Sequence, residues 1–202
     1  MTSRADFIHG CVGSQHSLIA WLSDLGDVDV SQPSRLPNWT VGHVLTHIAR
    51  NGEGCRNMLY SGLMYPGGVP QRNADIESGA VRSFAEQVAH IRATADDFER
   101  TLSMLTDEQW AGEATAPFGI VKVAEVPLRR WREVEVHRLD LGLGYTWRDI
   151  PSAWVAADLG GRRSGYAQPI PADVTALGDR AELTWLFSRP LGDNITPPPA
   201  WF

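Results

Sequence analysis

"NWTVGHVLTHIARN", residues 38–51, reads as a packing helix that carries two histidines, His43 and His47. Thr40 is placed to cap it, and Val44, Leu45 and Ile48 recur on one side at helical spacing. The helix is expected to run to about Leu59. Gly42, Gly52 and Gly54 each weaken it, and together they point to close packing, a bend or an open site. Imidazoles on such a helix need a reason, and a second stretch supplies one: "RRWREVEVHRLD", residues 129–140. Glu133 and His137 share one face of a helix at that spacing. Pro127 suits the first turn of this helix, expected over about 127–141, and "LGLGY" supplies a glycine stop.

If His47 turns toward Glu133 and His137, two imidazole nitrogens and a carboxylate meet. That donor set suits Zn2+ and leaves a position for water or a thiolate. Fe2+, Ni2+ and Mn2+ are open to the same donors. The spacing equally fits an ordinary Glu–His pair on a helix surface, and His47 alone fits a buried, hydrogen-bonded histidine. His43 shares its face roughly and competes for the role. Asp140, one turn beyond His137, is placed to orient that imidazole. The pattern is not HExxH, so a zincin-type hydrolase gains no support.

Working outward, residues 5–25 give a first helix on Phe7, Cys11, Ser14, Leu18, Trp21 and Leu25. "GDVDVSQPSRLP" is a loop running to Pro37. Residues 61–78 read as a long irregular connection, because Pro66, Gly67, Gly68 and Pro70 forbid one continuous helix. Residues 76–105 trace a long apolar stripe through Ile76, Val81, Phe84, Val88, Ile91, Ala95, Phe98, Leu102 and Leu105. Thr106 opens a short turn, and "FGIVKV" is either extended or a lead into the next helix. These elements predict an all-α core over residues 1–145, a four-helix bundle. Residues 146–202 are richer in Pro and Gly. They read as a short C-terminal extension that wraps or caps the bundle, with room for minor β structure. "AELTWLF", residues 181–187, is its clearest helix or strand. "LGGRRSG" near residue 160 reads as a loop of modest positive charge. "TPPPAWF" is expected to be extended, with Trp201 and Phe202 free to pack on the body.

The chain has 202 residues, enough for one good core or a main domain with a small appendage. With 43% apolar and 21% charged residues it has the make-up of a soluble globular protein. No stretch approaches the apolar run of a membrane span. The N-terminal segment interleaves Asp6, His9 and Gln15 with its apolar residues, so no signal peptide is expected and cytoplasm is the default. A formal net charge of −6 argues against nucleic acid as a partner. Cys11 and Cys55 form no CxxC pair and read as buried hydrophobes. Neither a GxSxG elbow nor a phosphate-binding GxxxxGK[ST] loop is present.

"LPNWTVGHVLTHIARN" together with "WREVEVHRLDLGLGY" resembles the mycothiol-dependent maleylpyruvate isomerase family, part of the wider DinB-like group of metal-binding helical bundles. The resemblance covers about residues 5–145, with a weaker echo in "LTWLFSRP", residues 183–190. It implies a divalent metal, usually zinc, held by His47, Glu133 and His137. It also implies mycothiol or another low-molecular-weight thiol as cosubstrate, and an electrophilic or unsaturated small molecule as substrate. His43 would support the ligand from beside it, and His43 and Arg129 are taken for the cofactor-binding side. An arginine near the C-terminal motif assists family isomerases, and Arg189 is the nearest match. Arg50, one turn after His47, is the other candidate for stabilising a developing oxyanion. The family's enzymes carry a more substantial α/β C-terminal domain than residues 146–202 provide. The expected activity is therefore thiol addition to an electrophile, as in cis–trans isomerisation or thiol transfer, by a monomer or homodimer. A non-catalytic metal-bearing binding protein and a zinc-dependent hydrolase are the alternatives.

Overall fold

Several helix starts along this chain share one device. In the computed structural model, which describes residues 3–192 and 194–199, Ser3 accepts from the Asp6 backbone N–H while the Asp6 carboxylate accepts from that of Ser3. This capping box opens α1, Arg4–Asp24. Thr40 and His43 repeat it at the head of α2, Val41–Ser61, which stops on Gly62 in the left-handed region at φ 74°.

The connection after α2 corrects the reading of residues 61–78 as wholly irregular. Its second half is a helix, α3, Gly68–Gly79. Pro70 lies within the first turn, where a backbone N–H has no helical partner to lose. The expected helix over 76–105 is also corrected. The chain breaks after Gly79 and restarts at Ser83, whose hydroxyl and Glu86 form another capping box for α4, Phe84–Met104. Ile76 belongs to α3, and Val81, placed on the apolar stripe, is 83% exposed in the break. Thr106 caps a single turn, α5, Asp107–Trp110. The strands β1, Glu113–Ala116, and β2, Gly119–Lys122, then pair antiparallel about Pro117 and Phe118. Helix α6, Val126–Asp140, carries Pro127 in its first turn and ends before Gly142 at φ 72°.

Helices α1, α2, α4 and α6 form the four-helix bundle: α2 packs on α4 and α6, and α1 on α6 and α4. Leu18, Leu22, Val44, Leu45, Ile48, Ile91, Phe98 and Val134 are buried where they meet. Of the three readings of the α2 glycines, close packing holds. A methyl on Gly42 would stand 2.0 Å from the Ala80 carbonyl oxygen, and one on Gly54 would stand 2.8 Å from the Tyr65 ring. A polar strand runs through this core. Fully buried Arg130 donates through Nε to Gln15 Oε1 at 2.9 Å, and through Nη1 to the Ile48 carbonyl at 2.8 Å and Asn51 Oδ1 at 2.9 Å.

The contacts of the chain divide it into two compact units, one over Ser3–Gly142 and one from Leu143 onward. The second unit is helical where described: a 3-10 turn at Trp147–Asp149, then α7, Ser152–Gly165, α8, Ala172–Ala176, and α9, Asp179–Leu186. Trp154 of α7 is buried against Phe187, ring centroids 5.4 Å apart. "LGGRRSG" is not a loop but the end of α7. Arg162 lies over the Phe187 ring at 4.0 Å, and Arg163 donates to Glu182 Oε2 at 2.8 Å. These contacts offset the helix-weakening glycines Gly160 and Gly161. Trp201 and Phe202 lie outside the described residues, so the expected packing of the tail does too.

Candidate metal centre

His47 sits two turns into α2, on the side that meets α6, and Glu133 and His137 sit one turn apart on α6. The Nε2 atom of His47 is 3.0 Å from Glu133 Oε2 and 2.9 Å from His137 Nε2. The third side of the triangle, His137 Nε2 to Glu133 Oε2, is 3.4 Å. Two imidazole nitrogens and a carboxylate oxygen thus converge on one point. Atoms about 2.1 Å from a tetrahedral ion stand about 3.4 Å from one another, so the group matches the spacing of three ligands of one cation. Among the described residues it is the one cluster of three or more His, Cys, Asp or Glu side chains with that convergence.

Charge inside the group is divided unevenly. Burial pushes the His47 pKa down to about 4, and the neighbouring His137 adds to that. Burial also works against a charged His137. Hydrogen bonds to Asp140 and Glu133 outweigh it and raise its pKa to about 9. Burial favours a neutral Glu133, but the two imidazoles hold its carboxyl well below the usual range. The metal-free group therefore carries a proton where a cation would sit, and metal binding would displace it. Asp140 Oδ2 accepts from His137 Nδ1 at 2.9 Å, which fixes the ring with Nε2 facing the group. Asp140 is buried, and its role follows the sequence reading. The Trp39 ring packs against His47 at 5.6 Å.

A cavity of about 240 Å³ adjoins the group, lined by His47, Glu133 and Asn51 with Tyr65, Arg72 and Phe118 among its walls. The other residues singled out in the sequence are placed elsewhere. His43 spends both ring nitrogens away from the group, Nδ1 on Thr40 at 2.8 Å and Nε2 on Glu77 Oε2 at 3.2 Å. Arg50 pairs with Glu53 at 2.6 Å. Arg129 pairs with Glu125 at 3.1 Å and lies over Phe118 at 5.2 Å. Arg189 belongs to the second unit and donates to the Phe187 carbonyl at 2.8 Å. Cys11 and Cys55 are buried free thiols, and burial pushes both up, Cys55 to about 12. Neither is a nucleophile at neutral pH.

Sequence reasoning missed Arg72, Tyr65 and Asn51. Asn51 was within reach, since it follows His47 by one helical turn. Arg72 and Tyr65 lie in the stretch read as irregular.

The four-helix core is the DinB-like bundle fold, and two solved structures share it. A mycothiol-dependent maleylpyruvate isomerase aligns with a TM-score of 0.70 at 21% identity, covering 79% of this chain and 69% of that one. Its histidine-to-alanine mutant gives 0.71 at 20% identity over the same shares. The family description "Mycothiol maleylpyruvate isomerase N-terminal domain" matches residues 14–142. The chain belongs to the mycothiol-dependent maleylpyruvate isomerase family, within the DinB-like superfamily. No curated protein matches it. No described helix is long and apolar enough to cross a membrane.

Proposed function

We propose that the chain is a metal-dependent enzyme in which a low-molecular-weight thiol, mycothiol by family, adds to an unsaturated small acid. The observation that carries this is the convergence of His47, Glu133 and His137, two of which, His47 and Glu133, line a cavity, in a member of this family. A divalent cation held there, zinc by the donor set, would lower the pKa of a thiol bound to it.

The cosubstrate thiolate then attacks the activated carbon–carbon double bond. A carbon–sulfur bond forms, and the π electrons move onto the conjugated carbonyl oxygen. Rotation about the resulting single bond follows. Return of the electrons expels the thiolate and leaves the trans alkene. His47, Glu133 and His137 would hold the cation, Asp140 fixes the His137 ring, and the Trp39 ring packs against His47. Thiol transfer to another electrophile uses the same nucleophile. A cytoplasmic setting belongs to the proposal, since reduced thiols persist there.

Water activation for hydrolysis has less support. It needs a free base at the cavity, and the carboxylate among the described lining residues, Glu133, is already committed to the two histidines. The test is cis–trans isomerisation of maleylpyruvate followed by absorbance, with metal and mycothiol each supplied or withheld. Turnover that requires both is expected, and Glu133→Ala should abolish it. Protein that binds the metal but neither binds thiols nor speeds any thiol reaction is instead a metal-bearing binding protein.

A further inference from the structure

We infer that the side-chain amide of Asn51, aimed by the fully buried Arg130 guanidinium, is the hydrogen-bond donor for the conjugated carbonyl oxygen of the molecule that enters the cavity. The inference rests on the thiol-addition reading above and adds to it the group that takes up the charge this addition creates.

As the carbon–sulfur bond forms, the π pair passes to the carbonyl oxygen, and an oxyanion in a cavity needs a donor already in place. Arg50, named for this from the sequence, is paired with Glu53. Arg72 lines the cavity but is spent: Nη1 donates to Asn73 Oδ1 at 2.9 Å, Nη2 stands against His47 Nδ1, and Nε is buried without a partner.

Asn51 stands one turn beyond His47 on α2, is buried, and lines the cavity. Its Oδ1 accepts from Arg130 Nη1 at 2.9 Å and from the Cys55 thiol at 3.5 Å. A guanidinium has no acceptor, so a flipped amide would set donor against donor, and Oδ1 is held toward the core. The NH2 therefore faces away from Arg130. It has no partner among the described residues, and it is not one of the unpartnered polar atoms sealed in the core. It is the free donor of a side chain that lines the cavity.

Arg130 does more than hold the amide still. Its acceptors, Gln15 Oε1, the Ile48 carbonyl and Asn51 Oδ1, are all neutral. A buried charge kept on neutral partners is costly, and the fold makes room for it. A methyl on Gly52 would stand 3.2 Å from Arg130 Nη2 and 3.0 Å from Thr94 Oγ1. A cation on Oδ1 draws electron density from the amide and strengthens the hydrogen bond its other end can give. Asn51 thus carries part of a buried positive charge to the cavity surface. Arg130 is the positioning residue behind it.

The experiment gives the full chain, loaded with Zn2+ and supplied with mycothiol, two electrophiles. Addition to 4-phenyl-3-buten-2-one places charge on a carbonyl oxygen. Displacement on benzyl bromide does not. Asn51→Leu should lower kcat for the enone by about a hundredfold, as loss of one oxyanion donor does, and leave the bromide rate within about threefold of wild type. Asn51→Asp keeps an acceptor for Arg130 while removing the donor, and should show the same split should Asn51→Leu not fold. Arg130→Lys should show it more weakly, because the amide is then free to turn. An even loss on both electrophiles, or none on the enone, overturns the donor role and leaves the thiol reading standing. A wild type that speeds neither reaction overturns the thiol reading instead. Calorimetry on the metal-free protein then decides the carbonyl site, using acetophenone and ethylbenzene, which match in shape and differ in the oxygen. A preference for acetophenone that both Asn51 variants lose supports the site, and a preference unchanged in them, or absent from the wild type, overturns it.

Discussion

His137 holds its proton between two carboxylates, Asp140 and Glu133, and this sets how the centre responds to pH. The folded-state pKa of about 9 lies above the ordinary histidine value. The metal-free fold gains stability from this shift. That gain is complete below the ordinary value and is lost as pH rises through about 9. Metal binding runs the other way, since the ion must displace the proton. Affinity should climb with pH by up to about tenfold per unit through neutrality and level off near 9. His47, with its pKa near 4, is already neutral and adds no slope there. Calorimetric titration with Zn2+ in two buffers of different ionisation enthalpy should count about one proton released at neutral pH. A flat affinity from pH 6 to 8 would contradict the assignment. Glu133, His137 and Asp140 were legible as neighbours in the sequence because side chains on one regular helix are placed by spacing, whereas His47 was joined to them only by the family resemblance. His43 looked equivalent to His47, but spacing does not reveal that a histidine can sit in a capping box and spend its ring on the helix start. The partners of Arg72 were hidden because they depend on how α3 lies against α2.

Elements announced by a polar cap or a proline were readable. Thr40, Thr106 and Pro127 mark the starts of α2, α5 and α6 as expected. The errors share a cause. In α3 the glycines and proline were taken as breakers, when a proline in the first turn costs no hydrogen bond. Between α3 and α4 the apolar rhythm carried across a real break, and the Ser83–Glu86 cap that marks it was passed over. At that break Gly42 of α2 lies under the Ala80 carbonyl. Gly42→Ala should therefore destabilise the protein despite alanine's better helix propensity. The obstacle is backbone, which does not rotate away, and the expected loss is about 1–3 kcal/mol in chemical denaturation. A variant as stable as the wild type would mean that α2 and the 80–83 turn stand further apart than described here.

At the level of the whole molecule, the bundle follows from helix count and apolar faces, but the meeting of His47 with Glu133 does not. Those residues are 86 positions apart, and local pattern carries no information on which faces two distant helices share. The resemblance implied that pairing, and the packing of α2 on α6 sets the His47 and Glu133 side chains side by side. A cation bound only by the assembled group binds the folded state and not the unfolded chain. It should stabilise by about 2.7 kcal/mol at a free concentration one hundred times its dissociation constant. A chelator should lower the melting temperature, and added Zn2+ should restore it in proportion to the logarithm of its concentration. Melting that ignores both would place the group outside metal chemistry. The protonated bridge on His137 has a further consequence during synthesis. As the chain leaves the ribosome, α2 emerges long before α6, so no ion can be captured until translation of the bundle is nearly complete. A proton, always at hand, closes the gap in the meantime, so the newly made protein can finish folding and wait for its ion.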